Sequence, residues 1–68
     1  MIKSQILSNA SRIRRYLDQK GEASIREIRI QFKLPEQEVC LALGWLANDN
    51  KIILHQTEEE IIAINFES

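Results

Sequence analysis

The feature of this 68-residue sequence that most constrains its fold is the segment from Pro35 to Asn50, which is apolar on two sides of a predicted helix. One side recurs at the three- and four-residue spacing of a buried stripe and consists of Val39, Ala42, Leu43 and Leu46. The opposite side is formed by Cys40, Leu41, Gly44 and Trp45. A helix that is apolar on both sides needs two partners, its own core and a second surface.

Two further helices are predicted before this segment. The first runs from about residue 3 or 4 to residue 20, because apolar residues recur there at helical spacing: Ile6, Ala10, Ile13 and Leu17. The second is short and begins after Ser24, which forms with Glu27 the S-x-x-E pattern of a capping box. Proline disfavours the helical region for the residue before it, so Leu34 ends this helix and Pro35 suits the first position of the third. The last residue of the segment, Asn50, suits a left-handed C-terminal position.

Two strands rich in β-branched residues are predicted next, at 51–57 and 60–66. The length of the loop between them sets the register, and a shift of one residue exchanges the faces. A two-residue loop, Glu58-Glu59, mixes polar and apolar residues on both faces. A three-residue loop ending at Glu60, which we favour, gathers one apolar face: Ile52, Leu54, Ile62, Ile64 and Phe66. The other face then carries Ile53, His55, Ile61 and Ala63.

The order of these elements predicts an α+β fold in one domain that spans residues 1–68. Three helices followed by a β-hairpin wing, with residues 22–24 available as a short third strand, is the order of a winged helix-turn-helix. A core this small typically supplies only about 3–5 kcal/mol of net stability, so association with a second molecule would help.

Charge is divided unevenly between the two halves of the chain. Residues 1–34 hold eight Lys or Arg and three Asp or Glu, net +5, whereas residues 35–68 hold one base and seven acids, net −6. This asymmetry is typical of an anion-binding face or of a molecule that complements itself. No run approaches the roughly 20 apolar residues of a membrane span, so no membrane partner is predicted. The single cysteine fits a reducing compartment and predicts a cytoplasmic protein.

The sequence also resembles a family of small bacterial winged helix-turn-helix proteins, known mainly as uncharacterised proteins of Bacteroides-type bacteria. The resemblance covers nearly the whole chain and is carried by the segments Gly21–Ser24, Leu34–Val39, Leu41–Ala47 and Lys51–Ile52. Its most specific part is the run A-L-G-W-L-A. Two departures are visible, Pro35 where the family usually has a Ser or Thr cap and Asn50 where it usually has Gly. The resemblance implies the fold and suggests DNA, and it supplies no ligand or site residues.

Catalysis and cofactor binding have little support in the sequence. The only histidine, His55, lies on a predicted strand and is interpreted as a surface residue of the ribbon. One Cys and one His cannot form a zinc site by themselves. With glycine only at positions 21 and 44, no phosphate-binding loop exists. We therefore predict neither an enzyme nor a cofactor, metal or small-molecule substrate.

The first functional hypothesis is binding to duplex DNA. In a winged helix-turn-helix protein the third helix enters the major groove and the wing contacts the backbone. On that helix the good base readers are Gln37 and Asn48. The predicted phosphate contacts lie on the first two helices: Arg12, Arg15, Arg26, Arg29 and Lys33. Against this hypothesis, three glutamates at the wing tip repel a backbone whose neutralisation dominates affinity.

The second hypothesis is association with protein, as a homodimer or with another partner. Leu41 and Trp45 lie four residues apart on the side away from the buried stripe, and Gly44 permits close approach. Exposed tryptophan beside leucine is typical of an interface core, so we predict an interface of Cys40, Leu41, Gly44 and Trp45. Alternatively, the first helix or the ribbon covers Trp45 within the monomer. The two functional hypotheses are compatible with each other.

Overall fold

Three helices and three strands form the fold in the computed structural model, which describes residues 2–66 and their side chains from residue 5 onward. The elements in order are α1 (Ile2–Lys20), β1 (Glu22–Ser24), α2 (Ile25–Phe32), α3 (Glu36–Asn48), β2 (Ile52–Gln56) and β3 (Ile61–Asn65). The predicted α+β order, including the short strand at residues 22–24, is confirmed. The predicted domain limits at residues 1 and 68 lie outside the described range.

The predicted capping box starts α2. The Ser24 hydroxyl accepts a hydrogen bond from the Glu27 backbone N–H at 3.1 Å, and the Glu27 carboxylate accepts one from the Ser24 N–H at 3.0 Å. The same carboxylate lies 3.1 Å from the ammonium group of Lys20, the last residue of α1. The Ser24 N–H and then Lys20 lower the pKa of Glu27, since both stabilise its charged form. These contacts fix the end of α1 relative to the start of α2.

Left-handed residues and a proline shape the ends of α2 and α3. Lys33 ends α2 with φ of +55°, and its N–H and that of Leu34 donate to the Arg29 carbonyl. The third helix begins one residue later than predicted. Pro35 has an extended backbone and precedes the first helical residue, Glu36. At the other end of α3, Asn50 adopts the predicted left-handed conformation, with φ of +60°.

The hairpin register differs from the one we favoured. The strands form one antiparallel sheet in the order β1-β3-β2, and the Thr57 N–H donates to the Glu60 carbonyl at 2.8 Å. The loop is therefore the two-residue turn Glu58-Glu59. The Thr57 hydroxyl accepts from the Glu59 and Glu60 N–H groups and donates to the Glu60 carbonyl, which closes the turn locally.

The apolar face predicted for the hairpin is wrong, because its residues do not lie together in this register. Residues 52 and 54 of β2 share a face with residues 61, 63 and 65 of β3, whereas Ile62 and Ile64 lie on the other side with Ile53 and His55. Ala63 pairs with Ala23 of β1 and is completely buried. The two small alanines at the centre of the sheet leave room for the helices that pack on it.

The core lies between the three helices and the Ala63 face of the sheet. The predicted stripe of α3 is confirmed as buried, and α1 contributes Ala10, Ile13 and Leu17. From α2, the core receives Ile25 and Ile28. Because one side of α3 packs on α1, α2 and the sheet, its other side faces away from the core. Within the described residues, no helix is long and apolar enough to cross a membrane.

Candidate interaction surface on the third helix

The side of α3 opposite the core is open to solvent along the whole helix. We call it the outer face, and it consists of Gln37, Cys40, Leu41, Gly44, Trp45 and Asn48, all exposed. Leu41 is 50% exposed and Trp45 is 42% exposed. The structure therefore answers the question that the sequence left open, since Trp45 is covered only in part within the monomer. Gln37 and Asn48, the two residues predicted to contact bases, lie on this face together with all four predicted interface residues.

Gly44 lies in the middle of α3 and of the outer face. A Cβ atom added at this position meets no other atom within 4 Å, and the backbone there is ordinary helix. Glycine inside a helix costs roughly 0.5–1 kcal/mol relative to alanine. No contact within the described chain requires this cost. The glycine instead leaves open space beside the exposed Leu41 and Trp45.

A small groove borders the outer face. It measures about 250 Å³ and lies between α1 and the first half of α3. It is lined by Gln5, Ile6, Asn9, Gln37, Glu38 and Leu41. The groove is contiguous with the outer face because Leu41 and Gln37 belong to both. Side chains of α1 therefore lie beside the outer face.

The predicted phosphate contacts on α1 are exposed, and one of them has a structural contact. The Arg12 guanidinium lies 5.2 Å from the centre of the Phe32 ring, a cation–π distance. Phe32 in turn meets Tyr16 edge-on, with ring centres 5.5 Å apart. This cluster holds α2 against α1. Arg15 is exposed on the same helix.

Two predicted phosphate contacts on α2 share a cleft with the acidic wing tip. Arg26 and Arg29 line an open cleft of about 600 Å³ together with Glu36 and the turn glutamates 58–60. Among the described side chains, the one ion pair within 4 Å is Lys20–Glu27, so the cleft brings opposite charges near each other without a salt bridge. Lys33 lies outside this cleft and is exposed.

The proximity of Glu36 and the wing glutamates to the arginines of α2 was not predicted. These residues are up to 34 positions apart in the chain, and no local spacing signals their contact. The cleft shows that part of the +5/−6 charge division is complemented inside the molecule. The wing glutamates also lower the positive potential at Arg26 and Arg29, which weakens attraction for phosphate at that point.

Comparisons with known proteins agree with this architecture. The model of a family described as "Winged helix-turn-helix domain (DUF2582)" matches residues 1–65. The solution NMR structure of protein BT2368 from Bacteroides thetaiotaomicron is similar to this chain, with a TM-score of 0.82 and 29% sequence identity. That match covers 96% of this chain and 79% of the other. No protein with a curated description matches. The resemblance predicted from the sequence is confirmed.

Proposed function

Because this chain belongs to the winged helix-turn-helix domain family DUF2582, we propose that it is a non-catalytic binding module, and that it associates with protein through the outer face of α3. The observation that carries this proposal is the joint exposure of Leu41 and Trp45, which lie one helical turn apart beside Gly44. Tryptophan is enriched among the residues that dominate binding energy in protein interfaces. The free thiol of Cys40 on the same face fits a reducing compartment such as the cytoplasm.

The charge of the outer face favours protein over nucleic acid. All six residues of the face are uncharged, and the first turn of α3 carries Glu36 and Glu38. Interface cores are depleted of charged residues, whereas affinity for DNA depends on cations placed near phosphates. A surface that is apolar in its middle and has amides at both ends resembles an interface core with a polar rim.

Photo-crosslinking in the organism that encodes the chain tests the proposal. Replacing Leu41 with a photo-crosslinking aromatic amino acid is expected to give covalent protein adducts on irradiation, and adding Trp45→Ala is expected to remove them. The matched control places the same amino acid at Ile30, an apolar residue of α2 that is 70% exposed outside the outer face. Equal adducts at both positions, or none at either, would contradict the proposal.

Contact with DNA is the second candidate function. It is favoured by the outer side of α2, where Arg26, Arg29 and Lys33 are exposed and form no ion pair within 4 Å with any side chain that the structure describes. In this arrangement α2 contacts phosphates. If α3 also entered the major groove, Leu41 and Trp45 would meet the bases together with Gln37 and Asn48. Base reading and protein association therefore compete for one face, whereas phosphate contact by α2 is compatible with either.

A fluorescence-anisotropy titration with duplex DNA at low salt tests this second candidate. The double variant Arg26→Ala/Arg29→Ala is expected to bind more weakly and to reduce the slope of log affinity against log salt by about 2, one for each lost phosphate contact. Arg14→Ala is the matched control, since Arg14 is exposed on α1 outside the predicted set. Absence of binding by the unmodified protein at tens of micromolar would rule out direct DNA contact.

A further inference from the structure

The free edge of the sheet is a second surface of the chain, and it is independent of the function proposed for the outer face of α3. We infer that this edge, formed by β2, pairs antiparallel with β2 of a second copy of the chain about a two-fold axis. The two three-stranded sheets then become one continuous sheet. The hydrogen-bond register of β2, its side chains and the charges at its two ends support this pairing.

Half of the backbone groups of β2 point away from the sheet. β2 is an edge strand, because the order of the sheet is β1-β3-β2. At one end of the hairpin the Thr57 N–H donates to the Glu60 carbonyl. At the other end the Phe66 N–H donates to the Lys51 carbonyl, so the odd-numbered residues of β2 bond to β3. The N–H and C=O groups of the even-numbered residues therefore point outward: Ile52, Leu54 and Gln56.

The edge of β2 lacks the features by which proteins usually prevent further strand pairing. Native edge strands are commonly blunted by a proline, a lysine or another charge, or by a bulge. β2 contains no proline, lysine, arginine or carboxylate, and its five residues pair with β3 without a bulge. Ile53 and Leu54 are exposed on its two sides. Such an edge is a template for one more strand.

A two-fold axis through Leu54 satisfies the outward groups of both copies. With Leu54 opposite Leu54 of the second copy, Ile52 lies opposite Gln56 of the second copy, and symmetry gives the reverse match. Each match is a hydrogen-bonded pair that exchanges both N–H···O=C bonds. A shift of the register by two residues in either direction loses one of the three pairs. Pairing about Leu54 therefore uses the whole edge.

The Leu54 side chain also gains a partner in this arrangement. It lies on the same side of the sheet as the buried Ala63, yet it is exposed, because the helices do not cover it at the edge. Opposite residues of a hydrogen-bonded antiparallel pair have Cα atoms about 5.5 Å apart, so the two Leu54 side chains lie side by side. On the other side of the sheet, Ile53 meets His55 of the second copy.

The charges at the two ends of β2 favour a second copy in the antiparallel direction. Lys51 precedes the strand and is the one base of residues 35–68, whereas the turn after the strand holds glutamates 58–60. Antiparallel pairing places Lys51 level with Thr57 of the second copy and so beside its acidic turn. The symmetry repeats this contact. Parallel pairing of the two copies would instead bring like charges together at each end.

The length of the edge sets the expected strength. A strand of five residues is about 17 Å long, so one strand pair buries less than the roughly 800 Å² per partner of a standard interface. Small interfaces of this kind belong to transient complexes. We therefore expect a homodimer with a dissociation constant on the order of 100 μM, which exchanges with monomer and has a concentration-dependent mass.

Amide hydrogen exchange followed by NMR tests the inference at the edge itself. The N–H groups of Leu54 and Gln56 are expected to exchange severalfold more slowly at about 1 mM than at about 50 μM protein, because pairing removes them from water. The N–H groups of Ile53 and His55 are the internal control, since they already bond to β3 and are expected to change less. Rates for Leu54 and Gln56 that do not depend on concentration overturn the inference.

Sedimentation equilibrium with charge-reversed variants tests the identity of the partner. Lys51→Glu and Glu58→Lys each place like charges at both ends of the pair, and each is expected to raise the dissociation constant by about threefold or more. A mixture of the two variants is expected to dimerise better than either alone, because opposite charges then meet at both ends. The control mixture of Arg14→Glu with Asp18→Lys makes the same changes of net charge on α1 and is expected to show little gain.

The remaining outcomes separate this inference from the proposed function. A chain that stays monomeric at about 1 mM overturns the second copy and leaves the protein association of α3, which crosslinking at Leu41 measures, untouched. Dimerisation that Trp45→Ala abolishes also overturns the inference, because it places the interface on the outer face of α3. Dimerisation that Trp45→Ala leaves unchanged and the mixed charge variants restore supports it.

Discussion

Leu43→Ala is expected to unfold a large fraction of the protein, although Leu41→Ala two residues away leaves the fold nearly unchanged. Leu43 is only 1% exposed, and truncating such a residue to alanine costs about 2–5 kcal/mol because a cavity remains. A core of this size typically provides about 3–5 kcal/mol in total. One substitution on α3 therefore removes most of the free energy of unfolding.

Urea denaturation followed by circular dichroism measures this difference. It is best done at low micromolar concentration, since association would add to the apparent stability. Leu41→Ala is the matched control, because it removes the same atoms from a half-exposed position and is expected to cost below about 1 kcal/mol. Similar losses for the two variants would show that the faces of α3 are assigned incorrectly.

Ala63→Asp is expected to abolish folding, and it tests the register of the hairpin directly. Ala63 is completely buried at the centre of the sheet, between Ala23 and Leu54 on the neighbouring strands. A carboxylate placed there has no partner, and an uncompensated buried charge costs several kcal/mol. In the alternative register, with a three-residue loop, the same side chain would lie on the other face of the ribbon.

The neighbouring substitution Ile62→Asp provides the control for Ala63→Asp. Ile62 is only partly buried and lies on the outer side of the sheet, so the new carboxylate reaches water. The expected cost is about 1–2 kcal/mol, from lost apolar contact and poor strand propensity. Thermal unfolding of the two variants settles the register, since the three-residue loop predicts the opposite order of stability.

The outer face of α3 has a consequence for how a winged helix of this kind functions. The position of α3 in the fold is that of a recognition helix, but its exposed middle is Leu41, Gly44 and Trp45. Occupation of this face by a protein partner, as proposed above, would remove Gln37 and Asn48 from contact with bases. The exposed basic side of α2 would stay accessible in such a complex.

Most of the local structure could be predicted because its causes are local. The capping box at Ser24 and Glu27, the left-handed Asn50 and the buried stripe of α3 each depend on residues within one or two helical turns. The hairpin loop was predicted incorrectly because we favoured the loop length that gathers one apolar face, whereas the sheet divides the apolar residues of the hairpin between its two faces. Two-residue loops usually need residues with positive φ, which glutamate disfavours. Neither Glu58 nor Glu59 has a positive φ, and the Thr57 hydroxyl closes the turn instead.

The sequence by itself determined that α3 has more apolar surface than one core can cover, because helical periodicity assigns each residue to a side. Only the tertiary structure decided that Trp45 and Leu41 remain exposed, since that depends on where α1 and the sheet pack. It also decided that Arg26 and Arg29 lie opposite the wing glutamates. Both outcomes come from contacts between distant parts of the chain, which no local pattern of residues encodes.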